Sequence, residues 1–142
     1  MSARSKARKR ALDVLYEADI RSMPAADVLA ATALRRSDEG QAALNEYVSE
    51  IVAGVLEHQA YIDELLGSYS SGWTLYRMPA VDRAILRIGT YELLWRDDIP
   101  DAVAISEAVA LAQELSTDES SSFVNGVLGR LLELKPRLSI DS

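Results

Sequence analysis

Arg4, Lys6, Arg8, Lys9 and Arg10 fall within the first ten residues, MSARSKARKR, and no acid stands among them. So dense a set of cations suits one kind of chemistry, the holding of phosphates. The run passes without a break into ALDVLYEADI, where Ala11, Leu12, Val14, Leu15 and Ala18 recur at helical spacing. That periodicity predicts one helix from about Ser5 to Ser22. Lys9, Tyr16 and Ile20 align along one flank of it. Two readings compete for the basic residues: a solvated helix start with Tyr16 half in the core, or an anion-binding arm. Five cations at the positive end of a helix dipole repel one another and the dipole. A sequence that tolerates this uses the charge, so nucleic-acid or phosphate binding is the favoured reading.

The arm belongs to a chain of the opposite sign. The 142 residues carry a net charge of −7. Five of the 15 basic residues lie in the arm, which leaves ten against 22 acids, a balance of −12 for the remainder. The partner expected for the arm is a polyanion. Other chemistries find no residues. With no cysteine there is no disulfide, thiolate or Cys-based metal site, in keeping with a reducing cytoplasm. His58 is the only histidine, so the usual zinc ligand sets cannot form. It sits off the apolar stripe and reads as a surface residue. None of the seven glycines builds a phosphate-cradling loop. No apolar run is long enough for a bilayer, and no apolar segment follows the amino-terminal charges as in a secretory signal. The chain is read as a non-enzyme without metal or cofactor.

The positioning elements are helices. PAVDRAILRIGTYELLW, Pro79 to Trp95, predicts the central one. Val81, Ala84, Ile85, Ile88, Tyr91 and Trp95 make one face, Leu86, Gly89 and Leu93 continue it, and Arg83, Arg87 and Thr90 leave a narrow polar strip. A helix apolar over so wide an arc must be covered from several sides, and Gly89 lets one neighbour come close. Before it come a short helix from Ala25 to about Leu34, a surface loop at Arg35–Gly40 with Ser37 or Asp38 as cap, and a long helix from Gln41 to Leu66. GSYSSG, Gly67 to Gly72, reads as a joint, and Trp73 to Met78 as one turn pinned by Trp73 and Leu75. After it come Ala102 to Leu115, the polar connection STDESSS, and a last helix from Phe123 to Leu134 in which Gly126 and Gly129 permit close packing. The expected architecture is all-α: one domain over 1–142, with helical halves 1–66 and 73–135.

Two single residues stay ambiguous on these grounds. Phe123 is either a core residue or a stacking platform. Asp82 finds Leu86 at i+4, and Arg83 and Arg87 point away. It is either held by the helix dipole alone or reserved for a cation on another chain, and the second reading is taken here.

ARSKARKRALDVLYEAD, WTLYRMPAVDRAILRIGTYELLW, IPDAVAISEAVALAQELS and SSSFVNGVLGRL appear in order and at suitable distances. Together they resemble the NusB family of bacterial transcription antitermination factors over nearly the whole chain; only Pro24 to Gly40 carries no distinctive match. The resemblance implies an all-helical protein that pairs with NusE, a small-subunit ribosomal protein. The pair binds boxA RNA, chiefly of ribosomal RNA operons, and acts within the transcription elongation complex. It implies RNA contacts at Arg4, Lys6, Arg8, Lys9, Arg10 and Tyr16, and at the stretch Glu119 to Phe123, hence Ser121, Ser122 and Phe123. It implies NusE contacts at Tyr16 and Asp82. Some members carry a lysine just before the phenylalanine, where this chain has Ser120, Ser121 and Ser122. Two other classes fit the residues: a helical protein–protein scaffold, or homodimer, without direct RNA role, and the RNA-binding domain of an rRNA methyltransferase. The latter is disfavoured because no cofactor-binding domain follows Ser142.

Overall fold

The computed structural model describes residues 2–70, 74–138 and 140. Gly72 and Trp73, expected at the joint and as the pin of the following turn, lie outside the described residues. The described chain is all-α, with six helices and two single 3-10 turns: α1 (Ala3–Arg21), α2 (Ala25–Asp38), α3 (Glu46–Tyr69), a turn at Leu75–Arg77, α4 (Ala80–Trp95), α5 (Asp101–Leu115), α6 (Asp118–Leu134) and a turn at Lys135–Arg137. It divides into two compact units, Met1–Glu57 and His58–Ser142, each containing part of α3.

In the first unit α1 packs on α2. Ala7, Ala11, Leu12, Val14, Leu15 and Ala18 are buried, as the periodicity of α1 requires, together with Val28 of α2 and Val48, Ile51, Val52 and Val55 of α3. Helix α2 runs four residues further than its apolar pattern suggests, through Arg35–Asp38. Arg35 and Arg36 sit in its last turn, where cations complement the dipole. Arg36 also donates from Nε and Nη2 to the carbonyl of Ala42, 3.0 and 2.7 Å away. That clamp holds the segment at 41–45 out of the helix. Asn45 Oδ1 then accepts from the Tyr47 amide at 2.8 Å, so α3 starts at Glu46 and not at Gln41.

In the second unit α4 packs against both α5 and α6, which also pack on each other. Ala84, Ile85, Leu86, Ile88, Gly89, Leu93 and Leu94 are buried, as are Ala104, Ala108, Leu111 and Ala112 of α5 and Val124, Val127, Leu128 and Leu131 of α6. The strip read as polar does not face water. Thr90 is fully buried, and Arg87 makes a bidentate pair with Asp63 of α3 at 2.9 and 3.0 Å. Arg83 donates to the Leu75 carbonyl at 2.9 Å and so ties the 3-10 turn to α4. His58 is half-buried, its ring stacked on Trp95 at 4.1 Å and 10°. Helix α3 continues through Gly67 to Tyr69, past the expected break.

Gly89 packs closely against both neighbouring helices. A Cβ there would stand 2.8 Å from Leu128 Cδ1 and 3.2 Å from Ala108 Cβ, so it faces two neighbours and not one. Gly126 and Gly129, expected to permit close packing, have nothing within 4 Å of a Cβ. Gly89→Ala is therefore expected to destabilise by about 1 kcal/mol net, overpacking of about 1–3 kcal/mol outweighing a helix-propensity gain of about 1. Gly126→Ala keeps the gain without the clash and is expected to stabilise by up to about 1 kcal/mol. Denaturant unfolding of the two variants reads the difference, and equal effects would place no close contact at Gly89.

Candidate nucleic-acid interface

The basic residues are part of α1 itself. Ser2 caps that helix, its side chain accepting from the Ser5 amide at 3.0 Å, so helical geometry begins at Ala3 and fixes where each cation points. Arg4 and Arg8, four apart, share a face. Their guanidinium carbons lie 4.6 and 5.7 Å from the centre of the Tyr47 ring on α3. Both distances are within cation–π range. Arg8 is only 3% exposed in this chain. Its charge is held inside, beside an aromatic face, where it anchors the start of α1. Arg4 remains exposed over the same ring.

Lys6 and Arg10, also four apart, are exposed, and Lys9 is half-buried. Arg10 opens on a cleft of ≈ 240 Å³ lined by Asp13 and Glu17 of α1, Arg35 and Arg36 of α2, and Glu39. Partial burial there pushes the Asp13 carboxyl above its ordinary pKa, with Lys9 and Arg10 pulling it down. Tyr16, 39% exposed, and Ile20, 55% exposed, form the flank anticipated from their spacing. The first unit thus presents Arg4, Lys6, Lys9, Arg10 and Tyr16 at its surface. Tyr47, which positions two of the arginines, went unnoticed in the sequence because it lies 39 and 43 residues from them.

The second unit builds its part at the start of α6. That helix begins at Asp118 and not at Phe123. Thr117 is the N-cap, Oγ1 accepting from the Ser120 amide at 3.0 Å, and Asp118 and Glu119 occupy the first turn. Asp82 answers to this corner. It is 3% exposed, and its two oxygens accept from Ser116 Oγ and Ser120 Oγ, each at 2.8 Å. With the Ser120 proton committed to Asp82, the Ser120 oxygen accepts from the Thr117 hydroxyl at 3.0 Å. Within this chain Asp82 is thus held by two hydroxyls and not by the dipole alone, and it joins α4 to the first turn of α6.

Ser121 is buried, and its hydroxyl donates to the Asp118 carbonyl at 2.8 Å. Ser122 is exposed. Phe123 is half-buried, neither wholly in the core nor free of it. Its ring borders two cavities. One, of ≈ 330 Å³, is lined by Met78, Pro79, Asp82, Ser116, Thr117, Glu119 and Ser120. The other, of ≈ 460 Å³, is lined by Ser68, Tyr69, Gly126, Val127 and Arg130. No cluster of metal-binding side chains occurs among the described residues. No helix among them is long and apolar enough to cross a membrane.

Known proteins resemble this chain along its length. The NusB family profile matches residues 5–133. The transcription antitermination protein NusB of Arthrobacter sp. strain FB24 is 64% identical over 138 residues, covering 97% of this chain and 98% of that protein. Among solved structures, NusB of T. maritima superposes with a TM-score of 0.80 at 30% identity, covering 97% of this chain and 99% of the other. A chain from the crystal structure of antitermination factors NusB and NusE in complex with dsRNA shares the fold, with a TM-score of 0.79 at 24% identity and coverage of 94% and 98%. A family match spanning α1 to α6, and close identity over nearly every residue of a relative, make this chain a member of the NusB family.

Proposed function

We propose that this chain is a transcription antitermination factor that binds boxA RNA together with NusE and supports transcription of ribosomal RNA operons. The observation that carries the reading is the polarity of α1. Its first turns expose Arg4, Lys6 and Arg10 on a chain whose remainder has a balance of −12. A single-stranded polyanion is drawn to that end and repelled elsewhere. The proposed RNA contacts are Arg4, Lys6, Lys9, Arg10 and Tyr16 on α1, with Ser122 and Phe123 on α6. Arg8 and Ser121 are positioning residues. Tyr16 is proposed to meet NusE as well, and Asp82 to serve that partner indirectly, by fixing the α4–α6 corner. The site of action is the elongation complex in the cytoplasm.

The arm sets a measurable salt dependence. Three or four neutralised phosphates predict that log K for boxA RNA falls with log salt at a slope of about −2 to −3, at roughly −0.7 per contact. Joint replacement Lys6→Ala and Arg10→Ala is expected to lower affinity across sequences and flatten the slope by about 1.4. Arg8→Ala is expected to leave the slope nearly unchanged while lowering stability by about 0.5–2 kcal/mol, the range for a cation–π contact. A salt-independent affinity would remove the arm from the interface.

Asp82→Asn keeps one acceptor oxygen but puts an amide donor toward a serine hydroxyl that is itself donating. It is expected to lower the unfolding free energy by about 1.5–3 kcal/mol, the value of a hydrogen bond to a charged group. Unchanged stability in denaturant unfolding, with NusE affinity lost, would restore Asp82 as a partner-facing charge.

A further inference from the structure

The larger cavity beside Phe123 has a composition that neither the core nor the arm explains. Phe123, Gly126, Val127 and Arg130 line it at i, i+3, i+4 and i+7, one stripe of α6, and Ser68 and Tyr69 from the end of α3 form the facing wall. A glycine inside a helix costs about 1 kcal/mol relative to alanine, and that cost is normally offset by a close neighbour. Gly126 has none, since nothing stands within 4 Å of the Cβ it lacks. Its bare backbone instead forms floor in the cavity. The remaining lining is two aromatic residues, an apolar Val127, a serine hydroxyl at Ser68 and a single cation.

Arg130 is about 10 Å along α6 from Phe123, seven residues at 1.5 Å each. Among the described residues its guanidinium pairs with Glu133 at 3.3 Å, with both side chains more than half exposed. Such a surface pair is worth little and yields to a better anion. A cavity bordered by two aromatic residues, an open glycine and a guanidinium has the chemistry to take a single nucleotide of an unpaired strand. Such a lining suits a base beside Phe123 and Tyr69 with its phosphate at Arg130.

Resting on the RNA reading above, we infer that Tyr69, Phe123, Gly126 and Arg130 form a slot for one extruded nucleotide of the bound RNA. The slot adjoins Ser122 and Phe123, already proposed as RNA contacts, and extends that edge along α6.

The test uses the full chain with NusE and boxA RNA carrying 2-aminopurine at successive positions. One position is expected to show a fluorescence change on binding, as its base leaves its neighbours for the slot. Gly126→Leu, which fills the slot with a side chain the fold has room for, should abolish that change and weaken binding about 5- to 150-fold, the loss of one stacked base. Arg130→Ala should flatten the salt slope by about 0.7, one phosphate contact. If the parent chain binds RNA and both variants bind with the same affinity and the same fluorescence pattern, the slot is overturned while the RNA reading stands. If the parent chain with NusE binds no RNA, both fall. The lysine and arginine replacements in α1 separate these cases, since they weaken RNA binding without altering which base responds.

Discussion

Much of the second unit depends on the burial of α4. A helix apolar over more than half its circumference cannot lie on a surface, so α5 and α6 must both cover it. Gly89 sets how closely they do so, because Leu128 and Ala108 occupy the space a side chain would take. The polar groups of α4 are then drawn into the structure with it. Arg87 finds Asp63, Arg83 finds the Leu75 carbonyl, and Asp82 finds two serine hydroxyls at the start of α6. These bonds are directional where apolar packing is not. They fix the turn before α4, the end of α3 and the first turn of α6, and the last two of these carry the surface around Phe123.

Charge is arranged on a different principle. The cations of α1 stand at the positive end of a helix, and the first turn contains no acid to relieve them. Tyr47 takes up part of the strain by lying under Arg4 and Arg8, and the carboxylates of Asp13 and Glu17 border Arg10. Lys6 and Arg10 still project outward. A protein stabilised only for its own sake would place acids there. The residual field makes sense as a device for drawing an anionic strand, and the acidic remainder of the chain confines where the strand settles.

The helices were readable from the sequence wherever apolar periodicity was strong, as in α1, α4 and α6. Boundaries set by side-chain bonds were not. Arg35–Asp38 looks like a loop by composition, yet α2 runs through it because Arg36 grips a carbonyl six residues on. Ser120–Ser122 looks like a linker, although Thr117 followed by Asp118 and Glu119 is the signature of a capped helix start and could have been recognised. The candidate site divides in the same way. Tyr16 and Ile20 are exposed together, as their spacing on one helix indicated. The fates of Asp82 and Arg8 were hidden, because the serines that bond Asp82 lie 34 and 38 residues away and the ring beside Arg8 lies on another helix. No inspection of i+3 and i+4 neighbours can find such partners.

On the proposed function, the acidic remainder of the chain opposes RNA away from the basic arm, and a NusE that covered part of it would tighten binding. The most direct test is the affinity for boxA RNA measured at one salt concentration, with and without saturating NusE. Weak binding by the chain alone that tightens at least tenfold with NusE is the predicted result. Equal affinities in the two titrations would contradict it, for the chain's own charge distribution would then suffice.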